Sequence, residues 1–302
     1  MAINLSGLLL PVTTPFNSNQ EINQPGLVSN LEKWNEAGVT GYLVLGSTGE
    51  RVNLDEREYF QVIEVTRCAI PKTSTFIVGA GQQSTRGTIS EIRRAASAGA
   101  DAVLVITPNY YRSAITQQAL IEHYTAAADS SPVPVILYSM PDLTGVRIEP
   151  ETTARLSRHQ NIIAMKDSSG DVEQFAAAVR LAAEGFAMVI GNGTVFAPAL
   201  QAGACGGILA VGLAVPDICL EIYRAFVSGN LTEAVTLQEK LTPLARAVTK
   251  TYGIGGLKAA MDMAGYAGGA ARTPLPTPSA AGLAEIEQLL RAVSEPRAIA
   301  TG

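Results

Sequence analysis

Gly7-Leu8-Leu9-Leu10-Pro11-Val12-Thr13-Thr14-Pro15-Phe16 is the stretch that separates two architectures. Its apolar part, Gly7–Val12, has the length and composition of a buried strand. An open, doubly wound sheet wants a glycine-rich turn directly after its first strand. Two threonines, a proline and a phenylalanine stand there instead, which favours a closed barrel. Outward from this point the same rhythm repeats. Further strands are predicted at Gly41–Leu45, Thr75–Ala80, Ala102–Ile106, Val133–Tyr138, Ile162–Met165, Ala187–Ile190 and Gly206–Ala210. Helical periodicity fills the intervals: Pro25–Ala37, Leu54–Ala69, Thr85–Ala98, Gln117–Ala128, Glu151–Arg158, Asp171–Leu181, Val195–Gln201 and Pro216–Val227. Ser84 or Thr85 and Asp171 are side chains suited to cap helix N-termini. Strands alternating with helices imply a parallel sheet, and eight units close a (β/α)8 TIM barrel of ~250 residues.

Beyond Asn230 the strand signal stops. Thr232–Lys250, Ile254–Ala264 and Ser279–Val293 read as helices, with a Gly/Pro-rich break at Gly268–Pro278. The expected organisation is therefore a barrel over 1–229 and a helical carboxyl-terminal extension over 230–302.

The chain has 302 residues, 47% of them hydrophobic and 16% charged, with 28 glycines and a net charge of −5. That balance suits an α/β protein with a large core. It offers no basic footprint for nucleic acid and no basic run for an acidic membrane. Cys68, Cys205 and Cys219 are scattered and odd in number, a pattern of reduced thiols in a cytoplasmic protein rather than of a disulfide framework. Met1–Ser6 has neither the basic segment nor the apolar core of a secretory leader, and no apolar run reaches the ~18 residues of a membrane span. With only His123 and His159 and no carboxylate cluster, the ligand inventory gives no expectation of a metal. No cofactor is expected either.

Catalytic groups of a barrel sit at the carboxyl ends of its strands, and that rule sorts the candidates. In Asn161-Ile162-Ile163-Ala164-Met165-Lys166-Asp167-Ser168-Ser169-Gly170 an apolar strand runs into a lysine and then a small polar turn. Burial disfavours an ammonium and lowers a lysine pKa, and a neutral amine attacks ketones to form a Schiff base. A surface lysine at a strand end would give the same string. Gly46-Ser47-Thr48-Gly49-Glu50 follows the second strand; its N–H groups and hydroxyls suit a carboxylate, as they would suit an ordinary Gly-Ser loop. Thr107-Pro108-Asn109-Tyr110-Tyr111 ends the fourth strand and Leu137-Tyr138-Ser139-Met140-Pro141 the fifth. A phenol at either place can relay protons or simply pack.

Taken in this order, these strings resemble the pyruvate-dependent class I aldolases and lyases, the family of dihydrodipicolinate synthase, N-acetylneuraminate lyase and 4-hydroxy-2-oxoglutarate aldolase. The resemblance runs from Pro11–Phe16 to Gly203-Ala204-Cys205-Gly206-Gly207-Ile208. It implies that Lys166 is the Schiff-base lysine, that Tyr138 shuttles protons, and that Ser47 and Thr48 bind the pyruvyl carboxylate, with Ser47 linked to the phenol. It further implies that Tyr111 completes the relay across a subunit interface, that Ile208 lines the pyruvate pocket, and that the protein is a homodimer or homotetramer acting on a small 2-oxo acid. Within the family, Tyr110–Ser113, Tyr138–Pro141, Lys166–Asp171 and Tyr252–Lys258 look most like 4-hydroxy-2-oxoglutarate aldolase, which yields pyruvate and glyoxylate. In dihydrodipicolinate synthases an arginine follows the Tyr-x-x-Pro string and grips the second substrate's carboxylate; the matching residue here is Leu143, which forms no such pair. That synthase reaction and a sugar-acid aldolase (N-acetylneuraminate or 2-keto-3-deoxygluconate lyase) stand as alternatives, with a non-enzymatic 2-oxo acid sensor as the reading from another class. Arg112 is a candidate for attracting a second carboxylate at the barrel mouth, and Arg272 for tying the tail to the barrel.

Overall fold

Short runs rich in Val, Ile and Leu become strands buried on both faces, as a parallel sheet covered by helices requires. In the computed structural model, which describes residues 3–294, they are β1 Gly7–Pro11, β2 Gly41–Val44, β3 Thr75–Ala80, β4 Ala102–Ile106, β5 Val135–Ser139, β6 Ile162–Asp167, β7 Ala187–Ile190 and β8 Gly206–Ile208. Residues 1–2 of the segment read above as lacking a leader, and 295–302 of the extension, lie outside the described residues. The strands pair in chain order into a closed barrel, parallel throughout, with β8 returning to β1. The TIM-barrel expectation holds.

The barrel's helices are α1 Gln24–Ala37, α2 Glu56–Ala69, α3 Thr85–Ser97, α4 Gln117–Asp129, a short α5 Pro141–Thr144, α6 Pro150–Leu156, α7 Val172–Leu181, α8 Phe196–Gln201 and α9 Pro216–Val227. Their starts are chemically marked. Asp55 and Glu58 form a reciprocal capping box on α2, Ser84 caps α3, and Asp171 caps α7; each satisfies an N–H that the first turn leaves unpaired. Three helices follow: α10 Leu231–Arg246, α11 Gly253–Met263 and α12 Ala280–Ser294.

Three expectations need correction. Strand β6 runs through Lys166 to Asp167 instead of ending at Met165, because Lys166 and Asp167 pair with Tyr138 and Ser139 of β5. Helix α5 was not predicted; Pro141 starts it, and Gly145 in the left-handed region stops it after one turn. The helix expected over Thr232–Lys250 changes to a wider π-turn at Ala247–Thr251, where the Thr249 hydroxyl donates to the Ala245 carbonyl, a back-bond that loosens helical geometry.

Two apolar layers result from the strands' period of two. Leu9, Leu43, Ile77, Leu104, Ile136, Ala164, Val189 and Ile208 fill the barrel's interior. The alternate residues, such as Leu8, Val44, Phe76, Val105, Leu137 and Met165, pack outward against the helices. Cys68, Cys205 and Cys219 are unpaired. Among the described residues no helix is long and apolar enough to cross a membrane.

Candidate active site

Strand alternation decides where Lys166 points. Ala164 faces the interior and Met165 faces outward, so Lys166 turns inward again. On the adjacent strand Ile136 and Tyr138 face inward by the same rule. The register sets Tyr138 directly beside Lys166. The result is an amine only 4% exposed next to a phenol only 5% exposed, with Lys166 Nζ 4.5 Å from the centroid of the Tyr138 ring. Burial pushes the Lys166 pKa below the ordinary lysine range, and the neighbouring Tyr138 opposes that shift only in part. A larger share of neutral amine, the nucleophilic form, follows at neutral pH.

The loop after β2 approaches from the other side. Ser47 Oγ lies 3.2 Å from the Tyr138 hydroxyl, and either group can donate. The turn is held in uncommon backbone geometry: Leu45 and Glu50 have φ of 58° and 54°, a region most residues other than glycine avoid. Gly79 on β3 permits it, since a Cβ there would sit 2.0 Å from the Leu45 carbonyl oxygen. Thr14 Oγ1 donates to the Gly49 carbonyl at 2.7 Å and pins the turn from the β1 side. The amides of Ser47 and Thr48 donate to no backbone carbonyl among the described residues. Ile208 is buried in the interior layer that includes Tyr138 and Val189.

Tyr111 stands apart. It is 71% exposed and packs edge-on against Tyr110 with ring centroids 5.0 Å apart. Among the described residues no hydrogen bond joins it to Tyr138. Leu143 on α5 is 62% exposed. Arg112 lies across the end of that helix: Nη1 would be 3.2 Å from a Cβ built on Gly145.

Two residues of the site were missed in the sequence. Gly191, just beyond β7, leaves room for the lysine: a Cβ there would stand 2.6 Å from Lys166 Cε and 1.9 Å from Ser168 Oγ. Ser168 is buried, and its hydroxyl has no hydrogen-bond partner among the described residues, an arrangement that favours a polar guest. A glycine after a buried strand was the available signal for the first. For the second there was none, because serines in turns are common.

The chain is similar to known proteins over almost its whole length. The profile of the dihydrodipicolinate synthetase family matches residues 4–293. The chain is similar to the 4-hydroxy-tetrahydrodipicolinate synthase of Methanothrix thermoacetophila, 35% identical over 292 residues that span 96% of this chain and 97% of that one. Among solved structures it resembles dihydrodipicolinate synthase from Bacillus anthracis, with a TM-score of 0.92 and 27% identity, covering 98% of this chain and 100% of that one. It also resembles a prophage protein of the dihydrodipicolinic acid synthase family from E. coli K12 in complex with pyruvate, with a TM-score of 0.89 and 25% identity over 96% and 98% of the two chains.

Proposed function

We propose a reaction from one premise: the chain belongs to the dihydrodipicolinate synthetase family and is a carbon–carbon lyase of the Schiff-base type. The reaction is cleavage of a 4-hydroxy-2-oxo acid to pyruvate and an aldehyde, with 4-hydroxy-2-oxoglutarate as the substrate and glyoxylate as the second product. The observation that carries the lyase chemistry is the buried Lys166 amine beside Tyr138, itself bonded to Ser47. A protein that only senses 2-oxo acids has no use for such an amine.

In this scheme Ser47 and Thr48 hold the C1 carboxylate and bring C2 to Lys166, a gain in proximity. The amine attacks C2 and water departs, leaving a protonated imine. Tyr138, exchanging protons through Ser47, takes the proton of the C4 hydroxyl. The C3–C4 bond breaks, its electron pair moves into the imine as an enamine, and the aldehyde leaves. Protonation at C3 and hydrolysis release pyruvate and restore the amine. General acid–base help of this kind is worth ~10²–10⁴ in rate. Ile208 packs beneath the pyruvyl methyl carbon.

For the aldehyde, Leu143 is the informative position: an exposed leucine provides no bidentate grip on a carboxylate. Arg112, beside the same helix end, supplies the cation instead. The relatives' name supports a second reading, synthesis of 4-hydroxy-tetrahydrodipicolinate from pyruvate and an aspartate-derived semialdehyde. Borohydride trapping with pyruvate tests the imine, and the adduct should map to Lys166. Paired assays separate the two reactions. Pyruvate release from 4-hydroxy-2-oxoglutarate should exceed semialdehyde-dependent pyruvate consumption by at least about tenfold in kcat/KM, or ~1.4 kcal/mol; the reverse ratio selects the synthase.

The protein acts as a cytoplasmic homo-oligomer in which Tyr111 of a second copy reaches the Tyr138–Ser47 pair, with residues 1–229 as the barrel and 230–302 as the extension. Exposed Tyr110, Tyr111 and Leu143 support an interface at the barrel mouth. Light scattering on the protein and on Tyr111→Asp checks this: an unaltered monomer in both removes the shared relay.

A further inference from the structure

Lys258, on α11 of the carboxyl-terminal extension, is 0% exposed, yet it is far from Lys166 in sequence and takes no part in the scheme above. Three oxygens surround its amine. Nζ lies 2.5 Å from Glu50 Oε1 and donates to the carbonyls of Thr14 at 2.8 Å and Ala270 at 3.0 Å. The ammonium also sits 4.4 Å from the centroid of the Phe16 ring. Every first partner belongs to the framework of the carboxylate turn or to the tail that closes over it. Glu50 ends the Ser47–Thr48 turn in a left-handed conformation, and its N–H donates to the Ser47 carbonyl at 3.1 Å. Thr14 donates its hydroxyl to the carbonyl of Gly49. The second oxygen of Glu50 accepts the Arg272 amide at 2.8 Å. Arg272 in turn forks onto Glu58 at 2.7 Å through both terminal nitrogens and lies 4.1 Å from the centroid of Phe16.

An ion pair this deep is a weak source of net stability, because desolvation offsets much of the attraction. What it does provide is a single geometry. The turn must aim two amides and two hydroxyls at one carboxylate, and its own backbone contains two residues in a region that relaxes readily if unsupported.

We propose that Lys258 is a positioning residue: by clamping Glu50 and the Thr14 carbonyl it fixes the Ser47–Thr48 turn in the arrangement that receives the carboxylate of the 2-oxo acid. The extension is thus part of the substrate-binding machinery although it contacts no substrate. This inference rests on the proposed role of Ser47 and Thr48, and the test separates the two.

Full-length Lys258→Met/Glu50→Gln removes both charges together, and Glu50→Gln alone keeps the side chain's shape and leaves Lys258 its two carbonyls. Each is measured for melting temperature, kcat, KM, and the pyruvate concentration giving half-maximal borohydride trapping. The double variant should keep its melting temperature within a few degrees and its kcat within about threefold. Its KM and half-trapping concentration should rise about tenfold, the scale of one charge-assisted contact. Glu50→Gln should move the same two quantities about threefold and serves as the measurement if the double variant does not fold. A fall in melting temperature and kcat with unchanged half-trapping is the mark of a merely structural pair and overturns the proposal. Ser47→Ala/Thr48→Ala then identifies what failed: if it raises half-trapping, only the clamp is wrong, and if it does not, the carboxylate turn was misassigned.

Discussion

Replacing Gly191 by alanine adds one methyl group beside the lysine. Gly191 is not among the residues of positive φ, so alanine meets no backbone penalty there and the effect is steric. The new Cβ would stand 2.6 Å from Lys166 Cε and 1.9 Å from Ser168 Oγ, where ordinary contact begins at 3.4 Å. Ser168 can rotate away; the lysine, enclosed by Tyr138 and the barrel interior, must retreat about 0.8 Å to regain contact distance, and its amine swings further. A displacement of roughly 1 Å at a reacting group costs on the order of 10² in rate, or ~2.7 kcal/mol of transition-state stabilisation. Overpacking should also cost about 1–3 kcal/mol of stability. The assay is kcat/KM for pyruvate release together with the rate of borohydride trapping. Adding Ser168→Ala to this background removes the 1.9 Å contact and leaves the lysine contact, so it should not return the rate. If Gly191→Ala keeps kcat/KM within threefold and is trapped at the native rate, the amine does not depend on that space and the geometric reasoning is wrong.

Lys166→Ala should abolish both turnover and trapping; residual turnover with no adduct would eliminate the imine. Lys166→Met should also change how stability depends on pH. Burial holds the native pKa of Lys166 below its ordinary value, so between the two values the unfolded chain binds more protons and the native protein gains stability as pH rises. The variant lacks that slope, and its advantage in melting temperature should be largest near pH 7 and shrink towards pH 10; an advantage that grows with pH refutes the sign. Tyr138→Phe deletes the hydroxyl that meets Ser47 and should lower kcat by about 10²–10³ with little change in KM, the signature of a lost transition-state interaction; an unchanged kcat leaves the ring as packing alone. Arg112→Ala should raise KM about tenfold for a dicarboxylic substrate and leave it unchanged for a monocarboxylic 4-hydroxy-2-oxo acid, a lost charge-assisted contact being worth ~1.5 kcal/mol or more; equal KM changes for both substrates remove Arg112 from substrate recognition.

The barrel was legible in the chain because its signals are local. Apolar runs of four to six residues, capped helices and the absence of a glycine-rich turn after Val12 each depend on neighbours within a few positions. Strand ends were less legible: Lys166 and Asp167 belong to β6 because β5 offers them partners, which no local pattern records. The lysine, the phenol and the hydroxyl turn were singled out as candidates because each lies at a strand end, and barrel geometry brings strand ends together. Gly191, Ser168 and the Lys258–Glu50 pair were not, since their meaning lies in distances between segments far apart in sequence.

Sequence by itself determined the alternation of strands and helices, and so that Lys166 and Tyr138 stand at the carboxyl ends of strands. Tertiary structure alone decided that the two are adjacent in register, that burial depresses the amine's pKa, and that a lysine from the carboxyl-terminal helices reaches Glu50. The physical reason is range. Backbone sterics and side-chain periodicity act over a few residues, whereas desolvation and ion pairing depend on which surfaces closure of the barrel takes out of water.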